Sequence, residues 1–234
     1  MRTWTQIQKE THGSQAWLNQ RFANALGEKQ VSASTAAAIY DKHPFTSAAA
    51  YAAELLRDTP PVPQEQNEAM ERGNRLEPFI LEWANDRLNE NFVTPDVLYV
   101  FSDDNARMIA TLDGFNGEKI LEIKTSTRDW TGELPEYWRV QGIHQAVCAN
   151  AHEVVWAIFD RSQTLNIYTQ FVSSDEKETH INAVGTWLSY IDMGMTPEGV
   201  AWTYDTITSR HPQDDGGVID LGPKGSELVT QLRH

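Results

Sequence analysis

Three charged residues that are close in the sequence have the types and spacing that metal-dependent phosphodiester chemistry uses. Asp113 is followed nine residues later by Glu122, and Lys124 comes two residues after that glutamate. Hard cations such as Mg²⁺ take carboxylate oxygens as ligands, and two facing carboxylates repel each other unless a cation joins them. A neighbouring ammonium group can orient an attacking water or stabilise charge that develops on a phosphoryl group. The reaction class that this set favours is phosphodiester hydrolysis.

A β-hairpin is the predicted element that positions these charges. Side chains alternate between the faces of a strand, so a strand over residues 119–125 directs Glu122 and Lys124 to the same face. We expect its partner to be a strand over residues 108–112 with Asp113 at its end, because opposed residues in a hairpin lie about 5 Å apart. A Glu–Lys pair on a strand is by itself more often a solvated surface feature. The inference therefore depends on the flanking elements.

Two predicted helices on either side of the hairpin carry further polar residues. Upstream, apolar residues recur at helical spacing over residues 64–91, and Pro78 is expected to kink this helix beside Glu77. Glu77 is either a surface glutamate on a broken helix or one more carboxylate for the metal site. Downstream, residues 136–150 are predicted to form an amphipathic helix with Gln141 on a polar stripe.

The order of these motifs resembles the phage lambda exonuclease type (YqaJ-like viral recombinase) of the PD-(D/E)XK nuclease superfamily. The matching segments, over residues 14–190, are Q-A-W-L-N-Q-R, V-S-A-S, G-N-R-L-E-P, T-L-D-G, L-E-I-K-T-S and Y-W-R-V-Q-G-I-H-Q-A-V. This resemblance implies an α/β fold, with a central mixed β-sheet flanked by helices in a restriction-endonuclease-like core. The predicted alternation of strands with a crossover helix is compatible with such a sheet.

The resemblance also implies roles for individual residues. Four are implied metal ligands, namely Asp113, Glu122, the carbonyl of Ile123, and Glu77. The ion would be Mg²⁺, with Mn²⁺ as an alternative, and Lys124 would complete the catalytic set by positioning or activating the attacking water. The residues implied to contact DNA, with the terminal 5′-phosphate held by the first two, are Arg21, Ser34, Thr111 and Gln141.

Elementary chemistry gives the phosphate assignment some independent support. Ser32 or Ser34 could cap a short helix that ends near Tyr40, and a helix N-terminus offers free N–H groups and a positive dipole end to a phosphate. Arg21 would add a bidentate fork of donors.

The activity implied by the resemblance is degradation of one strand of linear double-stranded DNA from its 5′ end. The expected protein is a Mg²⁺-dependent 5′-to-3′ exonuclease, phage or prophage encoded, that leaves a 3′ overhang for a single-strand annealing protein and assembles as a ring-shaped homotrimer. The alternatives are a PD-(D/E)XK endonuclease, a CRISPR-adaptation type nuclease, or a non-catalytic acidic DNA-mimic or regulatory binding module. Nucleases of the CRISPR-adaptation type normally carry four cysteines for an iron–sulfur cluster, whereas this chain has one.

The net charge of −14, from 19 basic and 33 acidic residues, is unusual for a protein that binds DNA through clustered cations. A ring can reconcile the two, because a small channel lined with basic residues is compatible with an acidic exterior. The candidates for such a lining are Arg2, Lys9, Lys29, Lys42, Arg72 and Arg75.

Composition sets the remaining expectations. A chain of 234 residues is long enough for one nuclease domain, with a core over residues 14–193 and a C-terminal extension over residues 194–234. We expect no membrane association and a cytoplasmic location in the bacterial host, because no long apolar run or signal-peptide pattern is present. The single cysteine, Cys148, is expected to be buried. Apart from His144, which lies beside the glutamine stripe of the predicted helix, the histidines lack metal-ligand spacing and are expected at the surface.

Overall fold

The computed structural model of the chain describes residues 1–63 and 67–200. Its strands are β1 Thr3–Gln8, β2 Val31–Ser32, β3 Val97–Ser102, β4 Arg107–Ala110, β5 Gly114–Phe115, β6 Lys119–Thr125, β7 Glu153–Phe159 and β8 Leu165–Phe171. Its helices are α1 Gln15–Phe22, a 3₁₀ helix Ala33–Tyr40, α2 Ala48–Leu55, α3 Glu68–Leu88, α4 Glu136–Cys148 and α5 Ser174–Asp192. The predicted C-terminal extension lies outside the described residues from position 201 onwards.

Local sequence explains where most of these helices begin. A short polar side chain at the N-cap accepts a hydrogen bond from a backbone N–H of the first turn, which would otherwise have no partner. The residues that do this for α1, α2, α3 and α5 are Ser14, Ser47, Asn67 and Ser173. Helix α3 continues through Pro78, so this proline does not end the helix.

The strands form two mixed sheets of four strands each, in the orders β1-β3-β4-β2 and β5-β6-β7-β8. Strands β2 and β4 are parallel in the first sheet, and β6 and β7 are parallel in the second. Helix α4 makes the crossover between β6 and β7, the connection that parallel strands need. The predicted α/β fold class with a mixed sheet and flanking helices is confirmed, with the strands divided between two sheets.

Strand β6 separates two parts of the core, as its alternation predicts. Leu121 and Ile123 pack with Ile80 and Ala84 of α3. Ile120 belongs to the larger cluster that includes residues of α4 and α5. Glu122 shares the face of Ile120, which is the side of the sheet that α4 covers.

The predicted hairpin is wrong in its first strand. Strand β4 belongs to the first sheet, and β6 pairs instead with the two-residue β5, in the register Gly114↔Leu121. The turn is Asn116-Gly117, where Gly117 has φ +98° and the Asn116 carboxamide oxygen accepts bonds from the N–H groups of Glu118 and Lys119. Asn-Gly and Asp-Gly are both favoured in hairpin turns, and in this chain the turn lies three residues later than Asp113-Gly114. Asp113 therefore reaches the site from the segment that joins the two sheets.

Strands β1, β2 and β5 were not predicted from the sequence. Strand β1 pairs antiparallel with β3 over its full length, with Gln8 opposite Val97. The Lys9 N–H continues this ladder by donating to the Asp96 carbonyl at 3.1 Å. Both remaining strands are two residues long, too short for an alternating pattern to be visible.

Helix α4 approaches the second sheet closely at Gly142. A Cβ atom at this position would lie 2.5 Å from Gln170 Oε1 and 3.0 Å from the Trp156 ring. The Gln170 amide cannot easily move away, because it accepts a bond from Trp156 Nε1 and donates one to the Arg139 carbonyl. In the ranges described, no helix is long and apolar enough to cross a membrane.

Candidate active site

One cavity of about 470 Å³ brings together all the residues that the sequence and its resemblance assign to a site. These lining residues are Arg21, Ser34, Glu77, Thr111, Asp113, Glu122, Ile123, Lys124 and Gln141. Most of the charged and polar side chains that line the cavity form two clusters that are distinct in charge. The carboxylate cluster consists of Glu77, Asp113, Glu122, Lys124 and Gln141. The cationic cluster consists of Lys9, His12, Trp17, Arg21 and Ser34, which line the same cavity.

Glu122 is held in place by helix α4 and by its neighbour on β6. It is only 3 % exposed, and its Oε1 accepts hydrogen bonds from Lys124 Nζ at 2.7 Å and from Gln141 Nε2 at 2.5 Å. Its Oε2 accepts a bond from Gln145 Nε2 at 2.6 Å. Buried charges are tolerated when they are paired and hydrogen-bonded, so these donors fix both the charge and the orientation of the carboxylate.

Lys124 remains an ammonium ion in this environment. Burial lowers the pKa of Lys124, but the carboxylates of Glu122 and Asp113 outweigh that effect and raise the pKa above its usual value. Its Nζ also donates to Gln141 Oε1 at 3.2 Å. A protonated lysine held by two partners is suited to stabilise negative charge or position a ligand rather than to accept a proton.

Asp113 is the carboxylate of this cluster whose ionised form is least stabilised by its surroundings. Burial, followed by the nearby charge of Glu122, raises the pKa of Asp113 well above its usual value. Its Oδ2 accepts a bond from the Ile123 N–H at 2.8 Å, and its backbone carbonyl accepts one from the Thr94 hydroxyl at 2.9 Å. The aspartate is therefore fixed next to a second carboxylate with too little positive charge nearby.

Glu77 lies on α3, where its side chain lines the cavity although the residue as a whole is exposed. Partial desolvation and the charge of Glu122 raise the pKa of Glu77. Within residues 1–63 and 67–200, no three His, Cys, Asp or Glu side chains stand close enough to hold a metal ion together. Asp113, Glu122 and Glu77 thus share a cavity without forming a closed set of three ligands.

The donor chemistry of the cavity nevertheless fits a hard divalent cation. Mg²⁺ is usually bound through only one or two carboxylates and keeps waters and substrate phosphates as its other ligands. Asp113 and Glu122 supply two carboxylates that repel each other. After burial, this repulsion is the next cause of the raised pKa of Asp113. A cation is the group that would relieve this repulsion.

Arg21 is the centre of the cationic cluster. Its Nη2 donates to the Ser32 hydroxyl at 2.8 Å and to the Ser34 hydroxyl, and its guanidinium carbon lies 4.2 Å from the centre of the Trp17 ring. Among the described residues it forms no ion pair with a carboxylate. Burial lowers the pKa of Arg21, although an arginine stays charged in proteins. A guanidinium with neutral partners can still accept an anion.

The capping prediction for this region is wrong. Ser32 occupies the N-cap of the 3₁₀ helix but makes no side-chain cap bond. Its hydroxyl is shared between Arg21 and the hydroxyl of Thr35, which lies 2.8 Å away. The serines therefore orient the arginine instead of closing the helix terminus.

A second cavity of about 800 Å³ adjoins the first, because Asn74, Glu77, Ile123 and Lys124 line both. Arg72 and the 89 % exposed Phe45 are among its other lining residues. Of the basic residues considered for a channel, Lys9 lines the first cavity and Arg72 the second. The other four bond to groups of the chain itself, namely Arg2 to Glu178, Lys29 to the Arg57 carbonyl, Lys42 to Glu136, and Arg75 to Glu71.

Sequence reasoning missed several residues of this site. Gln145 was on the same helical stripe as Gln141, four residues further on, but was not assigned a role. His12 and Thr94, which line the cavity from separate segments, gave no usable signal.

The expectation that the histidines other than His144 lie at the surface is wrong for His180. His144 and His180 are buried and bonded to each other, Nδ1 to Nε2, at 3.0 Å, and the Tyr40 hydroxyl lies 2.8 Å from His180 Nδ1. Burial lowers the pKa of His180 to about 3 and the pKa of His144 well below its usual value. This neutral pair lies behind the site and connects the end of the 3₁₀ helix with α4 and α5.

The chain is similar to known proteins in sequence family and in fold. The family model described as a YqaJ-like viral recombinase domain matches residues 16–152. No curated protein sequence matches the chain. An alkaline exonuclease from Laribacter hongkongensis is similar with a TM-score of 0.60 and 20 % identity, over 77 % of this chain and 93 % of that one.

Two further solved structures are similar. The same alkaline exonuclease in complex with dAMP has a TM-score of 0.60 and 20 % identity, over 75 % of this chain and 93 % of that one. A phage-related exonuclease from Haemophilus somnus 129PT has a TM-score of 0.51 and 11 % identity, over 73 % of this chain and 98 % of that one. At these identities the likeness establishes the fold.

Proposed function

The chain belongs to the YqaJ-like viral recombinase family, whose members are nucleases that act on DNA. We propose that it is a metal-dependent 5′-to-3′ exonuclease of linear double-stranded DNA. The observation that carries the proposal is the single cavity that contains both the carboxylate cluster and the cationic cluster. One cluster has the groups for breaking a phosphodiester bond, and the other has the groups for binding a terminal phosphate.

The size of the cavity supports an exonuclease over an endonuclease. Its volume of about 470 Å³ is in the range of about 300–1,000 Å³ that is usual for small-molecule sites. Such a volume suits one terminal nucleotide rather than a length of duplex. The alkaline exonuclease of similar fold was solved with dAMP, which is a single nucleotide.

In the proposed reaction, Arg21 and Ser34 bind the 5′-phosphate and so select the bond next to the terminal nucleotide. Asp113, Glu122, the Ile123 carbonyl and Glu77 would hold Mg²⁺ or Mn²⁺. When bound, such an ion supplies Lewis-acid stabilisation and makes hydroxide available near neutral pH.

The remaining work falls to Lys124 and the groups that orient it. Water oxygen bonds to phosphorus, the bond from phosphorus to the 3′ oxygen of the terminal nucleotide breaks, and that oxygen takes a proton. The products are a mononucleotide and a strand with a new 5′-phosphate. Lys124, held by Glu122 and Gln141, stabilises the charge on the phosphoryl oxygens, and Thr111 provides a further polar contact in the cavity.

The proposal extends to partners and biological setting. We propose a ring-shaped homotrimer and a single-strand annealing protein that receives the 3′ overhang, in phage or prophage recombination in the bacterial cytoplasm. Sizing by light scattering tests the trimer, since a monomer at micromolar concentration would contradict it. The CRISPR-adaptation alternative is disfavoured by the single, buried cysteine. A binding module has no need for an ion pair between Lys124 and the buried Glu122.

The central experiment compares linear duplexes with and without a 5′-phosphate, in Mg²⁺ or EDTA, for the wild type and Lys124→Ala. Loss of one strand only, dependent on the metal, the lysine and the 5′-phosphate, supports the proposal. Equally fast nicking of closed circular DNA would exclude an exonuclease and favour the endonuclease alternative.

A further inference from the structure

Lys9 and His12 lie on a segment that precedes the family-matched residues 16–152. Strand β1 ends at Gln8, and the bond from the Lys9 N–H to the Asp96 carbonyl fixes the chain as it leaves the sheet. The Ser14 N–H then donates to the Thr11 carbonyl at 3.0 Å as the chain enters α1. The pairing of β1 with β3 therefore determines where both side chains lie.

His12 and Arg21 both contact the indole of Trp17. The His12 and Trp17 rings have centroids 4.4 Å apart, and the Arg21 guanidinium carbon lies 4.2 Å from the Trp17 ring centroid. Trp17 is only 7 % exposed, so it provides a fixed support for both groups. All three residues line the cavity.

Lys9 adds a third basic side chain to the cationic cluster, after those of Arg21 and His12. Its Nζ donates to the Pro95 carbonyl at 3.3 Å, which leaves other donors of the ammonium group available. Among the described residues it forms no ion pair. Burial, and then the charges of Arg21 and Lys9, lower the pKa of His12, so each of these two cations lies within electrostatic reach of His12.

The ligand that matches this arrangement is a phosphate monoester. A terminal phosphate carries a charge of about −1.5 to −2 at neutral pH and has three free oxygens, whereas an internal phosphodiester carries a single negative charge. Arg21 and the serine hydroxyls can bind a singly charged phosphate. The carboxylates in the same cavity repel any anion, so a doubly charged group needs additional positive charge and donors.

We propose that Lys9 and His12 bind the terminal phosphate together with Arg21, and that they make the enzyme selective for 5′-phosphate ends over 5′-hydroxyl ends. Lys9 supplies charge, and the His12 ring supplies a directed N–H donor from its position on Trp17. This inference rests on the proposed function.

The test uses matched variants of the full chain. Lys9→Gln removes the charge and Lys9→Arg keeps it, while His12→Phe keeps a ring on Trp17 and removes the donor. Lys42→Gln is the control, because it changes the net charge by the same amount at a residue that pairs with Glu136 and does not line the cavity. The quantity measured is the ratio of initial rates on 5′-phosphate and 5′-hydroxyl duplexes at low substrate concentration.

Lys9→Gln and His12→Phe are each expected to lower this ratio by roughly tenfold, the usual effect of one lost hydrogen bond to a charged group. The rate on 5′-hydroxyl ends is expected to stay near that of the wild type, and Lys9→Arg and Lys42→Gln should keep the wild-type ratio. Unchanged ratios in both Lys9→Gln and His12→Phe would overturn the inference.

A binding measurement provides a readout that does not require catalysis. Titration of each folded variant with dAMP and with deoxyadenosine, in EDTA, is expected to show weaker binding of dAMP by roughly tenfold and no change for deoxyadenosine. An equal loss for both ligands would mean a merely structural role and would overturn the proposal.

The two proposals fail in different ways. A wild type that degrades both kinds of end equally fast contradicts the proposed function itself. A wild type that prefers 5′-phosphate ends, loses that preference in Arg21→Gln and keeps it in Lys9→Gln and His12→Phe contradicts only the present inference.

Discussion

The two clusters of the cavity are built in different ways. The carboxylate cluster is centred on Glu122 of strand β6. This side chain is almost fully buried and accepts hydrogen bonds from Lys124 of the same strand and from Gln141 and Gln145 of helix α4. The cationic cluster lies on the segment after β1, on the first helix and at the start of the 3₁₀ helix, and within residues 1–63 and 67–200 the hydrogen bonds of the Arg21 side chain go to hydroxyl groups. The first cluster satisfies the charge of Glu122 internally but leaves Asp113 in need of a cation, and the second keeps positive charge available for an external anion. Bond breaking needs fixed geometry, whereas recognition of an end needs unused donors.

The sharpest test of this contrast compares two lysines of the same strand. Lys124→Ala should lower the rate of strand hydrolysis by roughly 10²- to 10⁴-fold, the usual contribution of a positioned catalytic group. Lys119→Ala removes surface ion pairs with Glu90 and Glu153 and should leave the rate within about twofold, because such pairs contribute little. Single-turnover kinetics measure both. Similar losses in the two variants would mean that the effect of Lys124 is structural.

The cationic cluster should affect the choice of end rather than the chemistry. Arg21→Gln should lower the rate on 5′-phosphate ends by roughly 10- to 100-fold, because bonds to charged groups contribute about 1.5–3 kcal/mol. The rate on 5′-hydroxyl ends should change little. An equal loss on both substrates would remove the functional distinction between the clusters.

The pH dependence of stability tests the buried pair of His144 and His180, which lies behind the site that both clusters form. The folded pKa of His180 is lowered to about 3, whereas an unfolded histidine titrates near 6.5. Below that pH the unfolded chain takes up protons that the folded chain cannot, so stability falls as the pH drops from about 6.5 towards 3. His180 alone accounts for about 2 kcal/mol between pH 7.5 and pH 5.

Urea unfolding at the two pH values measures this loss. The His180→Phe variant should be less stable at pH 7.5, because Tyr40 and His144 lose their partner, but its stability should depend less on pH. A dependence as steep as that of the wild type would show that other groups cause the acid sensitivity.

The smallest expected effect concerns the strain on Asp113. Because its folded pKa is raised, the ionised carboxylate destabilises the fold at neutral pH. Asp113→Asn should therefore stabilise the protein in EDTA by about 1 kcal/mol, or roughly 2–4 °C in the thermal midpoint of a chain of this size. Mg²⁺ should raise the midpoint of the wild type and not that of the variant. An Asp113→Asn protein less stable than the wild type in EDTA would mean that the carboxylate is not strained.

The carboxylate cluster was the easier of the two to predict. The period of two along β6 places Glu122 and Lys124 on one face, and a spacing of four on a helix places Gln141 and Gln145 on another, so local rules are sufficient. The fold class follows from the same patterns. These inferences need no knowledge of which strands pair.

The arrangement of Asp113 and of the cationic cluster depends on distant pairings that such rules do not contain. Asp113 was expected opposite β6 in a hairpin, but β4 pairs in the other sheet and a second glycine makes the turn. Lys9 and His12 reach the cavity only because β1 pairs with β3, which is far away in the sequence. The division of the strands between two sheets was unpredictable for the same reason.

Gly142 shows that the mutational sensitivity of this site extends to a residue without a functional group. Any side chain there meets Gln170 and Trp156, so even an added methyl group would push the helix outward. Gln141 and Gln145 are on the same helix, and both would be drawn away from Glu122. The absence of a Cβ atom at Gly142 therefore sets the distance from the two glutamine amides to Glu122. Gly142→Ala is expected to act as an active-site mutation although it touches no substrate.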